Sequence, residues 1–372
     1  MIEFKMPSLG ADMDEGKLIE WKVKAGDAVK RGDLVAVVET PKAAVDVEIW
    51  QSGVVEALVA KPGDTIAVGG VLARLRGAEE APAAKAAAAP PAATRHPVSP
   101  AARQHARELG VDVEQLAGTG PHGSVTLQDV QKAAKRAPAP APAAAPPAAD
   151  KLLAMRKAIA AAMSRSKREI PHYYLSQTIP MRRAQAWLTA YNEERPVAGR
   201  VLMGALQLKA VARALKDFAD LNGFWKDNAY QPSSAIHLGV AISLRQGGLV
   251  APAIHDVAEL PLDELMKALA DLVRRARAGS LRSSEMSDPT ITVTNLGDQG
   301  VDAAFPVIYP PQVAIVGFGR LAERPWAEDG MIGAVPTVVA SLAGDHRSSD
   351  GHRGARFLAA LAALLQEPEK LA

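Results

Sequence analysis

The sequence predicts a multidomain chain: a small all-β sandwich, a short helical domain, and a larger α/β domain that fills the C-terminal part. Three observations predict it. Residues 81–94 and 137–149 are almost wholly Ala and Pro, with Lys85 the only charge in either. Such sequence has little apolar bulk to bury and favours extended, semi-stiff backbone, so both stretches read as linkers. The first piece carries an internal repeat, and the last alternates helical periodicity with continuous apolar runs. The boundaries that follow are 1–76, a linker at 77–95, 96–136, a linker at 137–149, and 150–372.

Composition excludes several classes. The 372 residues carry a net charge of +2 with 23% charged side chains, so no strong field argues for nucleic acid or an acidic membrane surface. Cysteine is absent, which rules out disulfides, thiolate zinc sites and a cysteine nucleophile. Any thiol chemistry must use a thiol brought from outside. No apolar run reaches the ~18 residues of a membrane span. No basic n-region and apolar h-region follow Met1, so a cytoplasmic protein is expected.

In the first piece Gly16, Lys24, Gly26, Asp27 and Gly32 recur as Gly53, Lys61, Gly63, Asp64 and Gly69, each shifted by 37. Short β-prone runs at 17–23, 34–39, 44–49, 54–59 and 71–75 surround them. Gly-Asp pairs at matching places predict equivalent turns, in which Gly supplies positive φ. The seam between the two halves falls at Glu39-Thr40-Pro41-Lys42-Ala43, with Lys42 at its tip. An exposed lysine on a turn is ordinarily a solvated charge. With Met6-Pro7-Ser8-Leu9-Gly10 and Gly26-Asp27, however, this seam resembles that of a lipoyl domain. The resemblance implies lipoate bound covalently to Lys42. Biotinyl domains share the fold but carry Met on both sides of the lysine, and Pro41 and Ala43 favour lipoyl. Pro41 stands where the family usually has Asp.

In the second piece Ser99 reads as an N-cap and Pro100 as the first residue of a helix ending near 109, before Gly110. Thr126 caps a second helix over 127–135, and the loop Gly118-Thr119-Gly120-Pro121-His122-Gly123 lies between. The pattern resembles a peripheral subunit-binding domain. That family docks partner enzymes through basic side chains, which implies Arg103 and Arg107 as partner-binding residues. The implied partners are the E1 dehydrogenase, the E3 dihydrolipoamide dehydrogenase, or both.

The third piece predicts helices at 152–168, 181–192, 202–218 and 262–278, and strands at 173–178, 236–243, 290–295, 313–317 and 335–342. The last strand delivers His346. Asp350 and Gly351 then open a helix whose apolar face reads Phe357, Leu358, Leu361, Leu364, Leu365. An imidazole at such a corner can be half buried and oriented, as a general base must be. Asp350 reads equally as a helix N-cap or as a group orienting the loop. A metal site from His346, Asp350 and His352 is disfavoured, and His172 and His352 read as local packing or surface residues.

This piece resembles the catalytic domain of dihydrolipoamide acyltransferases, which share the chloramphenicol-acetyltransferase fold. The resemblance rests on Ile170-Pro171-His172, Gly247-Gly248-Leu249-Val250-Ala251-Pro252, Thr292-Val293-Thr294-Asn295-Leu296-Gly297, Pro310-Pro311-Gln312 and Asp345-His346-Arg347 with Asp350-Gly351. It implies acyl transfer from the lipoyl arm to coenzyme A within a 2-oxo acid or acetoin dehydrogenase complex. It further implies His346 as base, Thr294 as oxyanion donor, Asp350 nearby, and homotrimers assembled into a larger cage. Acetyl, branched-chain, succinyl and acetoin-derived acyl groups all remain open. The alternative is a non-catalytic scaffold that only tethers dehydrogenases, which would have no need of His346, Thr294 and Asp350.

Overall fold

The computed structural model describes residues 2–9, 13–40, 44–77, 148–244, 247–328 and 330–372. Lys42, Arg103 and Arg107, and with them the expected helical domain, lie outside the described residues.

The N-terminal strands are β1 (Ile2–Lys5), β2 (Glu15–Trp21), β3 (Ala28–Val29), β4 (Leu34–Glu39), β5 (Ala44–Glu48), β6 (Gly53–Leu58), β7 (Thr65–Ala67) and β8 (Val71–Gly77). One sheet runs β1-β8-β6-β3, and the other contains β5-β4-β2-β7. Leu18, Val38, Val45, Val47, Leu72 and Leu75 face inward and are fully buried. The repeat is realised in its hydrogen bonds. Lys24 N donates to Asp27 Oδ2 at 2.8 Å, and Lys61 N donates to Asp64 Oδ2 at 2.9 Å. Gly26 and Gly63 sit in these turns at φ 99° and 100°, where a side chain would be strained. β3 and β7 were not legible beforehand, because strands of two or three residues are too short to display a period of two.

Antiparallel pairing of Glu39 with Ala44 leaves residues 40–43 as the link between β4 and β5. Lys17 pairs with Glu39, so the chain between β1 and β2 reaches that same end of the sandwich.

The larger domain begins with α1 (Ala148–Glu169), β9 (His172–Pro180), α2 (Arg182–Glu193) and α3 (Met203–Leu215). A hairpin of β10 (Gly223–Lys226) and β11 (Ala229–Pro232) follows, then β12 (Leu238–Val240), β13 (Ile242–Ser243), β14 (Leu249–Val250) and β15 (Ala253–Ile254). Next come α4 (Leu262–Ala278), β16 (Leu281–Arg282), α5 (Ser283–Ser287), β17 (Ile291–Asn295) and β18 (Ala314–Phe318). β19 (Ala322–Glu328), β20 (Met331–Asp345) and α6 (Gly351–Gln366) close the chain.

The main sheet is ordered β15-β12-β17-β18-β20-β19, with β9 also paired to β20. One face, carrying Ile291, Val293, Val338, Ala340 and Leu342, joins Leu206, Phe357 and Leu361 in one apolar core. Phe357, Leu358, Leu361 and Leu365 of α6 are all buried, each worth ~1.5–3 kcal/mol of transfer free energy. On the opposite face Ile315 and Ala343 pack against Ile170 and Ile308.

Two expectations changed shape. The single strand foreseen at 236–243 is split: β12 joins the main sheet, and β13 turns away to pair with β14. The last strand starts at Met331 rather than 335, because β19 pairs with its first half despite Gly333 and Pro336.

Candidate functional site

His346 follows β20 directly, in the turn that leads to α6. The buried Asp345 holds this turn. Its side chain accepts from Arg347 N at 2.9 Å and from Arg347 Nη2 at 2.6 Å. Its carbonyl accepts from Ser348 N at 3.0 Å and Ser349 N at 3.1 Å. The pair of Asp345 with Arg347 thus holds the turn. His346 N donates to Pro171 O at 3.0 Å, and the Tyr173 ring meets the imidazole edge-on at 5.5 Å.

Sequence reasoning missed Tyr173. Its hydroxyl pairs with Ser349 Oγ at 2.8 Å, and burial pushes its phenol above the usual range. The available signal was Gly344, which faces Tyr173 across the β9–β20 pair. A Cβ at Gly344 would stand 2.4 Å from the ring, so only glycine lets the tyrosine lie beside the histidine turn.

The imidazole of His346 is exposed, not half buried as anticipated. β9 and α6 support the turn from beneath, and within one chain nothing covers the ring from above among the described residues.

Asp350 is the N-cap of α6: Oδ1 accepts from Arg353 N at 2.9 Å. That bond holds its carboxyl below the usual carboxylate range. The stabilisation is present above the unfolded carboxylate pKa and disappears as pH falls through the lowered value. Asp350→Ala is expected to lower Tm by a few degrees while Asp350→Asn, another good cap, restores most of it, as read by thermal unfolding.

Thr294 does not meet His346 within a chain. It pairs with Gly317, which pairs with Ser341, five residues before His346 (346 − 341 = 5). That offset is about 17 Å along the strands and about 10 Å across two of them, roughly 19 Å in all.

Two adjoining cavities lie nearby; neither is lined by His346, and of the histidine turn only Arg347 lines one of them. One, of about 550 Å³, has an apolar wall that includes Ile159, Met163, Phe224 and Leu249. The other, of about 620 Å³, reaches Ile170, Trp225 and Arg347. Both touch Arg165, Lys226 and the Pro310-Pro311-Gln312 run. Gln312 fixes that run: its Oε1 accepts from Thr292 Oγ1 at 2.7 Å and its Nε2 donates to Pro289 O at 3.1 Å. Trp225 N donates to Pro311 O at 2.8 Å, and Arg347 stacks over the Trp225 ring at 4.5 Å. Trp225 carried no motif and was not foreseen.

His172 is a packing residue, as expected. Its Nδ1 lies 2.9 Å from Ile170 O while Nε2 accepts from Ile308 N at 3.1 Å, which fixes a neutral tautomer. Burial lowers its pKa accordingly. His352 is exposed. Among the described residues no three His, Asp or Glu side chains converge to hold a metal, and no helix is long and apolar enough to cross a membrane.

Behind the first cavity, Asp288 bonds His255 Nε2 at 2.9 Å and raises the imidazole's pKa against the pull of burial. Stability from this raised group is present in full below the unfolded value of ~6.5 and is lost as pH climbs through the folded one. Asp288→Asn should therefore cost more Tm at about pH 6 than at about pH 9, measured by thermal scans of both proteins.

Family models agree with this geometry. The catalytic-domain model of the 2-oxoacid dehydrogenases acyltransferase family matches residues 145–372. A model described as biotin-requiring enzyme, which covers biotinyl and lipoyl domains, matches 2–75, and an e3 binding domain model matches 97–131. The lipoamide acyltransferase component of the branched-chain alpha-keto acid dehydrogenase complex of Pseudomonas aeruginosa is 32% identical over 99% of this chain and 98% of its own. The dihydrolipoyllysine-residue acetyltransferase component of the Staphylococcus aureus pyruvate dehydrogenase complex is 29% identical, with the same two coverages. A solved structure of Azotobacter vinelandii dihydrolipoamide acetyltransferase is 27% identical over 58% of this chain and 90% of its own, with TM-score 0.55. That work concerns the role of a serine, a histidine and an asparagine in the catalytic mechanism. With residues 145–372 matched by the catalytic-domain model and a relative 32% identical over 99% of its length, the chain belongs to the acyltransferases of the 2-oxoacid dehydrogenases.

Proposed function

We propose that this chain moves an acyl group from a dihydrolipoyl arm on Lys42 to coenzyme A, with His346 as general base and Thr294 as oxyanion donor. The observation that carries the reading is the His346 turn: an imidazole pinned through its backbone, open to an incoming thiol, beside a trough lined by Arg165, Lys226 and Arg347. The residues around Lys42 suit a carrier, because residues 40–43 link two paired strands at an end of the sandwich. The lipoyl group, when bound there, supplies the acyl thioester. His346 takes the proton of the coenzyme A thiol, whose ordinary pKa near ~8.5 leaves it mostly protonated at neutral pH. The Thr294 hydroxyl donates to the oxygen on which negative charge develops, and as the C–S bond to the arm breaks His346 returns its proton to the departing sulfur. Asp350 and Asp345 hold the loop and exchange no proton.

Because Thr294 and His346 of one chain lie roughly 19 Å apart, each site takes its base from one copy and its oxyanion donor from another. This fits a homotrimer, assembled into a larger cage. The serine, histidine and asparagine named for the Azotobacter relative match Thr294, His346 and Asp350 in chemistry and chain order. In this reading residues 1–76 are the carrier, 96–136 dock the E1 or E3 enzyme through Arg103 and Arg107, and 150–372 catalyse.

The two relatives differ in acyl group, one acetyl and one branched-chain, so the acyl class is read by experiment. A panel of acyl-CoA thioesters run in reverse against dihydrolipoamide should give turnover with at least one. No turnover with any overturns the reading. Intact mass after expression with lipoate tests the modification of Lys42.

A further inference from the structure

The sandwich ends in a strand that its own fold leaves unpaired on one side. Among the described residues of the sandwich β5 pairs only with β4, and such an edge presents a row of free N–H and C=O groups. Here β16 occupies it in parallel register, Val45 opposite Leu281 and Asp46 opposite Arg282. Beyond the strands, Glu48 N donates to Ser283 Oγ at 3.0 Å, and Ser284 N donates to Glu48 Oε2 at 3.3 Å. Glu48 is only 7% exposed, a burial that a carboxylate tolerates only with partners. Met286 packs against the apolar cores of both domains.

We propose that Leu281–Ser287 is a docking rail that recognises β5 of the same chain's sandwich by strand addition and turns its Lys42 end toward the 550 Å³ cavity. The inference rests on the acyl-transfer reading and adds the surface that presents the arm. Orientation follows from two facts already given. Ser8 lines that cavity, and the pairing of Lys17 with Glu39 puts the chain between β1 and β2 at the end where Lys42 lies.

The rail is rigid before the sandwich arrives. Arg275 grips Glu285 through both guanidinium nitrogens, and Arg282 N donates to Glu285 Oε2 at 2.8 Å. His255 holds Asp288 just beyond. A preorganised strand spends little entropy on pairing. Residues 78–147 join the two domains, long enough for the sandwich to dock and to leave.

The absence of cysteine makes a direct test simple. In the full chain, Asp46→Cys with Arg282→Cys should form a disulfide under mild oxidation, seen as a within-chain cross-link on non-reducing gels. Asp46→Cys with Arg324→Cys is the control pair. Cross-linking no greater than the control, or only between two chains, overturns the proposal.

A kinetic arm separates docking from chemistry. Glu48→Ala should lower transfer to the chain's own lipoyl arm by roughly 10-fold and leave transfer to free dihydrolipoamide unchanged. Equal loss with both acceptors, or loss with neither, overturns docking. Failure of the unsubstituted protein with free dihydrolipoamide would instead sink the acyl-transfer reading.

Discussion

His346→Ala is expected to reduce acyl transfer by about 10²–10⁴-fold, the ordinary contribution of a positioned general base. The turn should survive, because Asp345, Arg347, Ser348 and Ser349 hold it without the imidazole. Tm and particle mass should therefore match the parent protein, and any loss of rate reports chemistry. The residual rate should rise with pH toward the thiol's own pKa of ~8.5, since unaided ionisation then replaces the base. Unchanged turnover at neutral pH would leave the non-catalytic scaffold as the better account.

Thr294→Ala is expected to cost about 10²–10³-fold, by analogy with the loss of one oxyanion donor. The decisive experiment uses both variants. Each is nearly inactive alone, but co-assembled chains in equal amounts contain some sites with an intact histidine from one copy and an intact threonine from another. Activity should return to a sizeable fraction of the parent level. If co-assembly restores nothing, the two residues serve the same chain's site, and the separation of roughly 19 Å would have to close by a rearrangement of the sheet.

Much of the fold was legible because local chemistry and global architecture agreed. The 37-residue repeat worked as a predictor because each Gly-Asp pair closes the same hydrogen-bonded turn. The corner at His346 was legible because an apolar strand, a capping aspartate and an amphipathic helix follow one another directly in sequence. What stayed hidden depended on pairing between distant segments. Tyr173 reaches the site only through the register of β9 on β20, and Trp225 only through a backbone bond to Pro311. The exposure of His346 was misjudged for a related reason. Sequence specifies the strand and helix beneath the ring but carries no local signal for its exposure. The split of 236–243 was invisible because fragments of three and two residues are too short to show separate periods.

The acidic residues on β5 have a consequence for crowded assemblies. In the proposed cage many tethered sandwiches would hold undocked strand edges at high local concentration, conditions that invite fibre-like self-association. Asp46 and Glu48 place like charges on each such edge, so two sandwiches meeting side by side repel. On the catalytic domain the Glu48 carboxylate instead accepts from Ser284 N, so that segment takes an edge that a second sandwich would repel.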